Sequence, residues 1–446
     1  MVYISLLGII LTIVLFIILS FRGIPVTVSS VILIFVLWLF SLGCTDAQNF
    51  SELTDTFGSG VANIVKSYLL LFMVSALFGS LINATGIASS LGRSYEALVL
   101  KAPERTRKLL AVTLVPALNA LFIYSGISVY VVVFAVVAVA KDLFRRMDIP
   151  WYMYSMSTIG SATFAAVSLP GSPSVVNLAP MPYTGTDMSP APVFSAVITA
   201  ECVIFGILYM QYALKRSERL KEGFLPTGKD ISAMDIDSAE EQRPVPMVLA
   251  IPVVILPILL INLLKLQVII ALLITNICLM AVFRKRLTLY RLKAALISGL
   301  TAGINPTMTM ALMSGFTAVL INTPGFQPVL DMLFSLPMPE YLKIVLMLGV
   351  VGFITGNFNA AVPPCMDTLG PGALAAAGVN MEVMHRLITI SSLFCISPHN
   401  SGLCNSVAVA RLTHKSTYRH YFMIGPVLGV ILTLSAIVLI KLGIVF

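Results

Sequence analysis

Two short stretches of the chain combine proline, glycine, hydroxyl side chains and asparagine in the middle of apolar segments. They run from Leu169 to Asn177 and from Ser397 to Asn405, and in each a proline is followed seven residues later by an asparagine. Proline removes a backbone donor and clashes with the preceding turn, so each segment is predicted to contain a broken helix. Inside a membrane the freed peptide groups need a polar partner, which makes each break a candidate ligand site.

The ligand that these residues favour is a small anion. Ser172 and Pro173 are predicted to start a half-helix whose positive end points at the membrane midplane, a place suited to a carboxylate. By the charge count no Lys or Arg lies at that depth, so amides, hydroxyls and helix ends are expected to hold the anion. A proline kink alone is often only a packing device, but two breaks at corresponding places favour binding. The predicted substrate pocket consists of Ser125, Gly126, Ser128, Gly171, Ser172, Asn177, Thr355, Asn357, Asn359, His399, Asn400, Ser401 and Asn405.

Three residues are candidates for carrying a coupled proton. His399 lies at a break, and an imidazole titrates close to physiological pH, although a neutral structural histidine fits equally well. Asp367 and Glu201 also fall in apolar surroundings and are rival carriers, with Asp367 the better placed beside two prolines.

The composition is that of an integral membrane protein. Hydrophobic residues make up 58% of the chain, charged residues 11%, and the mean hydropathy is +0.96. The net charge of +8 does not indicate nucleic acid, because the basic residues lie in short loops between apolar segments. The six cysteines form no CxxC pair, and no HExxH motif is present, so neither a disulfide framework, a metal site, a cofactor nor an enzyme is expected.

Apolar runs predict about ten transmembrane helices. They are residues 3–20, 24–42, 61–83, 152–180, 192–214, 245–264, 267–283, 295–322, 381–410 and 421–442. The first is expected to be a spanning helix rather than a removed signal peptide. Two further stretches, 109–140 and 341–380, are predicted to be re-entrant hairpins. Their breaks are expected near Tyr124-Ser125-Gly126, at residues 355–359 and at Val362-Pro363-Pro364.

The charges predict that both termini are extracytoplasmic. All but five of the 28 Lys and Arg then fall in cytoplasmic loops. The exceptions, each near an outer helix end, are Lys66, Lys265, Lys343, Arg386 and Lys441. The hydrophilic stretch 215–244 is predicted to be a flexible cytoplasmic linker between residues 1–214 and 245–446. Each part has five spans and one hairpin, so the two are predicted to be inverted repeats. The predicted fold is therefore an all-α polytopic protein with two helices broken at the membrane midplane.

Energetics favour coupled transport. Moving one negative charge inward against an inside-negative potential costs about 2.3 kcal/mol per 100 mV, which would leave a monoanion roughly 50-fold less concentrated inside. One proton per monocarboxylate makes the step electroneutral. Sodium coupling and carboxylate exchange stay open as alternatives, and an intramembrane enzyme is disfavoured.

Several motifs resemble the gluconate permease family, and most closely its 3-hydroxybutyrate permease branch. They are Gly160–Phe164, Leu169–Pro173, Asn177, Thr184–Asp187, Pro398–Asn400, Leu412–His414 and Tyr418. The resemblance implies proton symport of sugar acids or short hydroxy acids across a bacterial cytoplasmic membrane. It also implies membership of the ion-transporter superfamily, in which homodimers with hairpin-bearing transport domains work by an elevator motion.

Overall fold

The computed structural model describes residues 2–124, 129–156, 167, 169–172, 174–232, 245–264, 266–376 and 378–446. Helices, turns and loops make up these residues, and no strand occurs among them. Within this part of the chain six helices are long and apolar enough to cross a membrane, and three shorter helices are also apolar. The predicted fold class, an all-α multi-pass membrane protein, is confirmed. The count of about ten spans and the orientation of the termini stay predictions.

The first half of the chain supplies the following helices. They are α1 (Val2–Phe21), α2 (Val26–Ser41), α3 (Phe50–Thr85), α4 (Ile87–Leu100), α5 (Glu104–Tyr124), α6 (Val129–Arg146), α7 (Val175–Leu178), α8 (Met181–Thr184) and α9 (Pro192–Arg219). The helix α9 extends beyond the predicted span into the stretch predicted to be a linker, and α10 (Phe224–Thr227) and α11 (Lys229–Ser232) follow it.

The second half continues the numbering. Its helices are α12 (Met247–Asn262), α13 (Val268–Val282), α14 (Leu289–Ala302), α15 (Ile304–Ile321), α16 (Phe326–Phe334), α17 (Glu340–Thr355), α18 (Phe358–Leu369), α19 (Pro371–Ala376), α20 (Met381–Ser391), α21 (Ser401–Val409), α22 (His414–Phe422) and α23 (Leu428–Lys441). A 3₁₀ turn, Ser392–Cys395, extends α20, and a π-helical turn, Met423–Val427, joins α22 to α23.

The longest helix is α3, which has 36 residues where a shorter span is predicted. A capping box formed by Asn49 and Glu52 starts it, and Gly86, with a left-handed backbone, ends it. At 1.5 Å per residue it measures about 54 Å, well over the hydrocarbon thickness of about 30 Å. It packs against α6, α13, α14 and α15 and so connects elements from both halves of the chain.

Both predicted hairpins correspond to pairs of packed helices, α5 with α6 and α17 with α18. Residues 125–128, between α5 and α6, lie outside the described residues, and the turn between α17 and α18 falls at Gly356 and Asn357. The predicted break at Pro363-Pro364 is wrong, because α18 continues as a helix through both prolines. Two adjacent prolines remove only two donors, and membrane helices tolerate such losses when neighbouring elements satisfy the freed groups. The side of the membrane from which each pair enters stays a prediction.

Both proline-containing segments contain non-helical residues, and the second is interrupted as predicted. Residues 157–166 lie outside the described residues, so a helix before the first break stays a prediction. Residues 396–400 separate the 3₁₀ turn from α21, and the Asn400 side chain caps α21. In the first segment residues 169–172 are non-helical, and the next helix begins at Val175 with Ser174, rather than Ser172, as its cap. Because α7 has only four residues, its end is too short to provide the predicted half-helix dipole.

The two halves exchange contacts through their hairpins. The arm α18 of the second hairpin packs against α7, which follows the first break. The arm α6 of the first hairpin packs against α21, which follows the second break. This reciprocal packing is the kind that two inverted repeats would produce, although the repeat itself stays a prediction.

Candidate functional site

Asn177 lies at the centre of a buried polar cluster beside the first break. Its side-chain amide donates to the carbonyl oxygens of Ser172 and Met188, each at 2.8 Å. The residue is fully buried, and these two bonds use both hydrogens of its nitrogen. Its Oδ1 therefore faces the other way as an acceptor, toward α20.

Arg386, on α20, approaches that acceptor. Its Nη1 donates to Asn177 Oδ1 at 2.9 Å and to the Val167 carbonyl at 3.4 Å, while Nε donates to the Pro190 carbonyl at 3.3 Å. The side chain is 1% exposed, and its Nη2 is buried without a hydrogen-bond partner in the structure. Every hydrogen-bond partner that the described residues offer this guanidinium is thus uncharged.

The burial of Arg386 does not follow from its predicted place near an outer helix end, and the prediction that the anion meets no fixed cation stays untested. Arg386 is near the N-terminal end of α20, but the first broken segment and the loop before α9 cover it. Hydropathy reports depth along a helix, and does not report whether another part of the chain closes over a helix end. A buried cation therefore lies beside the first break.

His385, the neighbour of Arg386, is also fully buried. Its Nε2 lies 3.2 Å from Asn177 Oδ1, and its Nδ1 lies 2.6 Å from Thr186 Oγ1. Thr186 Oγ1 is in turn 2.8 Å from Thr184 Oγ1, which donates to the Pro180 carbonyl at 3.0 Å. Asn177, Thr184, Thr186, His385 and Arg386 are called the first-break cluster from here on.

Two carboxylates lie near this cluster. Asp187 is exposed, accepts the backbone N–H of Ser189 at 2.6 Å, and interacts electrostatically with both His385 and Arg386. Glu382 accepts the backbone N–H of Ala191 at 2.9 Å and so ties the loop before α9 to the start of α20. No carboxylate in the described part of the chain is hydrogen-bonded to the guanidinium of Arg386.

The first hairpin also reaches the first break. Tyr124, the last residue of α5, donates from its hydroxyl to the Pro170 carbonyl at 3.1 Å, next to Gly171. Ser172 is buried behind this contact. The predicted site residues Ser125, Gly126 and Ser128 lie outside the described residues.

The second hairpin and the second break form a second polar cluster. The Gly356 carbonyl accepts the backbone N–H of Ser401 at 3.1 Å and the side-chain amide of Asn400 at 3.2 Å. His399 Nε2 lies 3.0 Å from the Ile354 carbonyl. Ile354, Gly356, His399, Asn400 and Ser401 are called the second-break cluster.

Four further predicted site residues lie on the elements of this cluster. The Thr355 carbonyl accepts the Thr317 hydroxyl at 2.9 Å, and Asn357 caps α18 by accepting the backbone N–H of Asn359 at 3.1 Å. The Asn359 side chain is exposed, and Asn405 is buried on α21. Contacts within the protein account for the polar groups of Thr355 and for the side-chain oxygen of Asn357, which fits a structural role for them.

His399 sits among aromatic rings. Phe16 stacks on it at 4.9 Å, and Phe316 and Phe353 lie edge-on at 6.4 Å. Because a carbonyl is the partner of Nε2, that nitrogen must carry a hydrogen, and a neutral ring satisfies the contact. The surroundings favour a structural histidine, and the proton-carrying role of His399 stays a prediction.

The other two proton candidates lie apart from both clusters. Glu201, on α9, accepts the Ser435 hydroxyl of α23 at 2.5 Å. Asp367, on α18, is exposed. Their roles in coupling also stay predictions.

We expect Gly356→Ala to destabilise the protein. Gly356 has φ +63°, and an added Cβ would lie 2.6 Å from His399 Cδ2 and 2.9 Å from the His399 carbonyl oxygen. The left-handed backbone alone costs about 1–2 kcal/mol for a non-glycine residue, and the collision adds to it. The measurement is the thermal midpoint in detergent, with Gly23→Ala as the control, because Gly23 has φ +80° and open space around it. Equal losses in both variants would contradict the close approach of the hairpin turn to His399.

No protein-family model matches the chain. The chain is 25% identical over 430 residues to the uncharacterized transporter YxjC of Bacillus subtilis (strain 168). The aligned region covers 86% of this chain and 89% of that protein. This similarity, together with the apolar helices, supports a transporter role for a multi-pass membrane protein.

Proposed function

We propose that this membrane protein is a secondary transporter that takes up a small organic carboxylate together with a proton, with 3-hydroxybutyrate and gluconate as the candidate substrates. The similarity to a transporter over most of both chains supports the general role. The two interrupted segments, each contacted by a hairpin, support a coupled transporter rather than a channel.

The observation that carries the carboxylate proposal is the Arg386 guanidinium. A buried ion whose hydrogen-bond partners are all uncharged loses several kcal/mol of hydration, roughly, and ionisable groups inside membrane proteins mark substrate pathways. Here Nη2 has no partner, and the bonds of Nη1 and Nε go to uncharged oxygens. A carboxylate bound at Nη2 would supply both the missing charge and the missing acceptor.

One backbone carbonyl near the guanidinium suits a hydroxy acid better than a plain fatty acid. The oxygens of Val167 and Pro190 accept bonds from Arg386, and those of Ser172 and Met188 accept bonds from Asn177. The Val167, Pro190 and Met188 oxygens each accept a second bond, from Thr389, from Ser195 and from the backbone N–H of Gly171 respectively. Among the described contacts the Ser172 oxygen accepts one bond, so it retains a lone pair for a hydroxyl hydrogen of the ligand.

Proton coupling follows from the direction of nutrient uptake. A monoanion entering alone against the membrane potential would be excluded, whereas entry with one proton is electroneutral and driven by the pH gradient.

The test is accumulation in liposomes that contain the purified protein. With the outside made acidic, radiolabelled 3-hydroxybutyrate or gluconate should rise above the external concentration, and a protonophore should abolish the excess. Separate arms impose a sodium gradient, or load unlabelled acid inside, to distinguish sodium coupling and exchange. If both acids only equilibrate under an imposed pH gradient, proton symport of these substrates is contradicted.

A further inference from the structure

The hydrogen bonds around His385 contain a proton-binding position. We infer that the coupled proton binds His385 at Nδ1 and that a carboxylate on Arg386 makes this binding favourable. The inference rests on the proposed carboxylate transport and adds to it the group that links the two ligands.

The contact with Asn177 requires a hydrogen on Nε2 of His385. Asn177 donates both amide hydrogens to the Ser172 and Met188 carbonyls, so the atom facing His385 is an oxygen. Turning the amide around would place that oxygen against two carbonyl oxygens. Because Asn177 Oδ1 only accepts, the His385 Nε2 atom at 3.2 Å must be the donor.

On the other side of the ring, the number of available hydrogens bears on whether Nδ1 is protonated. Three contacts follow in series, from His385 Nδ1 to Thr186 Oγ1, from there to Thr184 Oγ1, and from there to the Pro180 carbonyl, at 2.6, 2.8 and 3.0 Å. Two threonine hydroxyls supply two hydrogens. The third is available only if Nδ1 also carries one, so the series is complete with an imidazolium and one hydrogen short with a neutral ring. The short contact of 2.6 Å at Nδ1 suits a charge-assisted bond.

The charge of a protonated His385 would act on Arg386. An imidazolium at His385 would sit beside the Arg386 guanidinium, and both donate to the same Asn177 oxygen. Two adjacent buried cations repel each other, and the carboxylate that interacts with both of them, on Asp187, is exposed to solvent. An anion at Arg386 Nη2 offsets this repulsion, so each ligand favours the binding of the other.

The remaining charged groups near this part of the fold do not replace that anion. Lys343 on α17 is paired with Glu340 on the same helix at 3.2 Å, and the Glu382 carboxylate accepts a backbone N–H. The titratable groups on the segments that pack against α20 are Glu340, Tyr341 and Lys343 of α17, Tyr183 of α8, Asp187 of the following loop, Cys395 of the 3₁₀ turn and Lys441 of α23.

Solvent access to the proton position runs through the loop that carries Thr186. Thr186 is partly exposed, and its neighbours Gly185 and Asp187 are exposed, whereas the His385 ring is fully buried. A proton therefore reaches Nδ1 past the Thr186 hydroxyl, while the carboxylate occupies the Arg386 side. Binding adds one proton to Nδ1 and breaks no covalent bond.

The experiment measures the protons taken up when an acid binds the purified full-length protein. Calorimetric titration with 3-hydroxybutyrate and with gluconate is repeated in buffers of different ionisation enthalpy at each of several pH values. The wild type should take up about one proton per anion, the electroneutral stoichiometry. His385→Gln, which can still donate to Asn177, should keep measurable binding and take up close to none.

Three further variants complete the test. His420→Gln is the matched control, because His420 bonds Tyr209 on α9 away from the first-break cluster, and it should behave as the wild type. Thr186→Val removes the acceptor for the Nδ1 hydrogen and should move the midpoint of proton uptake to lower pH. His399→Gln tests the rival carrier: loss of proton uptake in that variant, with uptake retained in His385→Gln, overturns the inference.

The outcomes separate the two proposals. Binding with wild-type proton uptake in His385→Gln, or binding by the wild type without proton uptake, overturns the His385 inference and leaves carboxylate transport standing. Failure of both acids to bind the wild type overturns the proposed function and the inference together. If His385→Gln does not bind either acid, an unshifted midpoint in Thr186→Val overturns the inference.

Discussion

Arg386→Gln is expected to abolish accumulation of the carboxylate without lowering the thermal stability of the protein. A hydrogen bond to a charged group contributes about 1.5–3 kcal/mol, so losing the guanidinium should weaken anion binding about 10- to 100-fold. The glutamine amide nitrogen takes the place of Nε and can keep the bond to the Pro190 carbonyl. Because the substitution also removes a buried charge whose hydration is lost on folding, stability should be unchanged or higher. A purely structural arginine would give the opposite pattern, with lower stability.

The measurements are the affinity for 3-hydroxybutyrate and gluconate, uptake into liposomes, and the thermal midpoint without ligand. Arg22→Gln is the control, since Arg22 is exposed at the end of α1. Arg386→Lys keeps the charge but not the planar fork, and it should retain part of the affinity. Uptake by Arg386→Gln at the wild-type level would remove Arg386 from the substrate site.

Asn177→Ala is expected to abolish transport and to lower stability as well. Asn177 joins four groups, because it donates to the Ser172 and Met188 carbonyls and accepts from Arg386 and His385. Each buried polar group left without its partner costs about 1–3 kcal/mol. The substitution therefore loosens the loop after the first break and at the same time frees the cation and the imidazole beside it.

The thermal midpoint and liposome uptake test this expectation. Asn322→Ala is the matched control, because Asn322 is exposed and its amide donates only to the Ala318 carbonyl within its own helical turn. A thermal midpoint for Asn177→Ala equal to that of the control would show that Asn177 does not join the two segments.

The parts of the fold that are governed by local chemistry are predictable from the sequence. The lengths of the apolar runs predict α1 and α2 to within a few residues. The positions of proline and glycine predict the non-helical residues in both proline-containing segments. Pro363 and Pro364 misled the prediction, since the same residue type that breaks one helix is accommodated in another. The difference lies in the neighbouring elements, and a single sequence does not report them.

The candidate site likewise has a part that the sequence predicts and a part that it does not. His399, Asn400 and Ser401 meet the second hairpin as expected, because the partners lie within the same half of the chain. Arg386 was missed, since its partner Asn177 lies 209 residues away and its depth looks peripheral. One signal was present in the sequence: Arg386 is the only charged residue between Glu382 and Arg411. A single charged residue inside an apolar run is therefore as strong an indication of a site in a membrane protein as a proline is.

The exchanged contacts of α18 with α7 and of α6 with α21 bear on how the chain becomes stable. Until residues beyond position 245 are synthesised, α6 and α7 lack the surfaces that shelter them. The first half of the chain therefore cannot complete its packing before the second half is inserted. We expect the protein to fold as one cooperative unit rather than as two domains that fold one after the other.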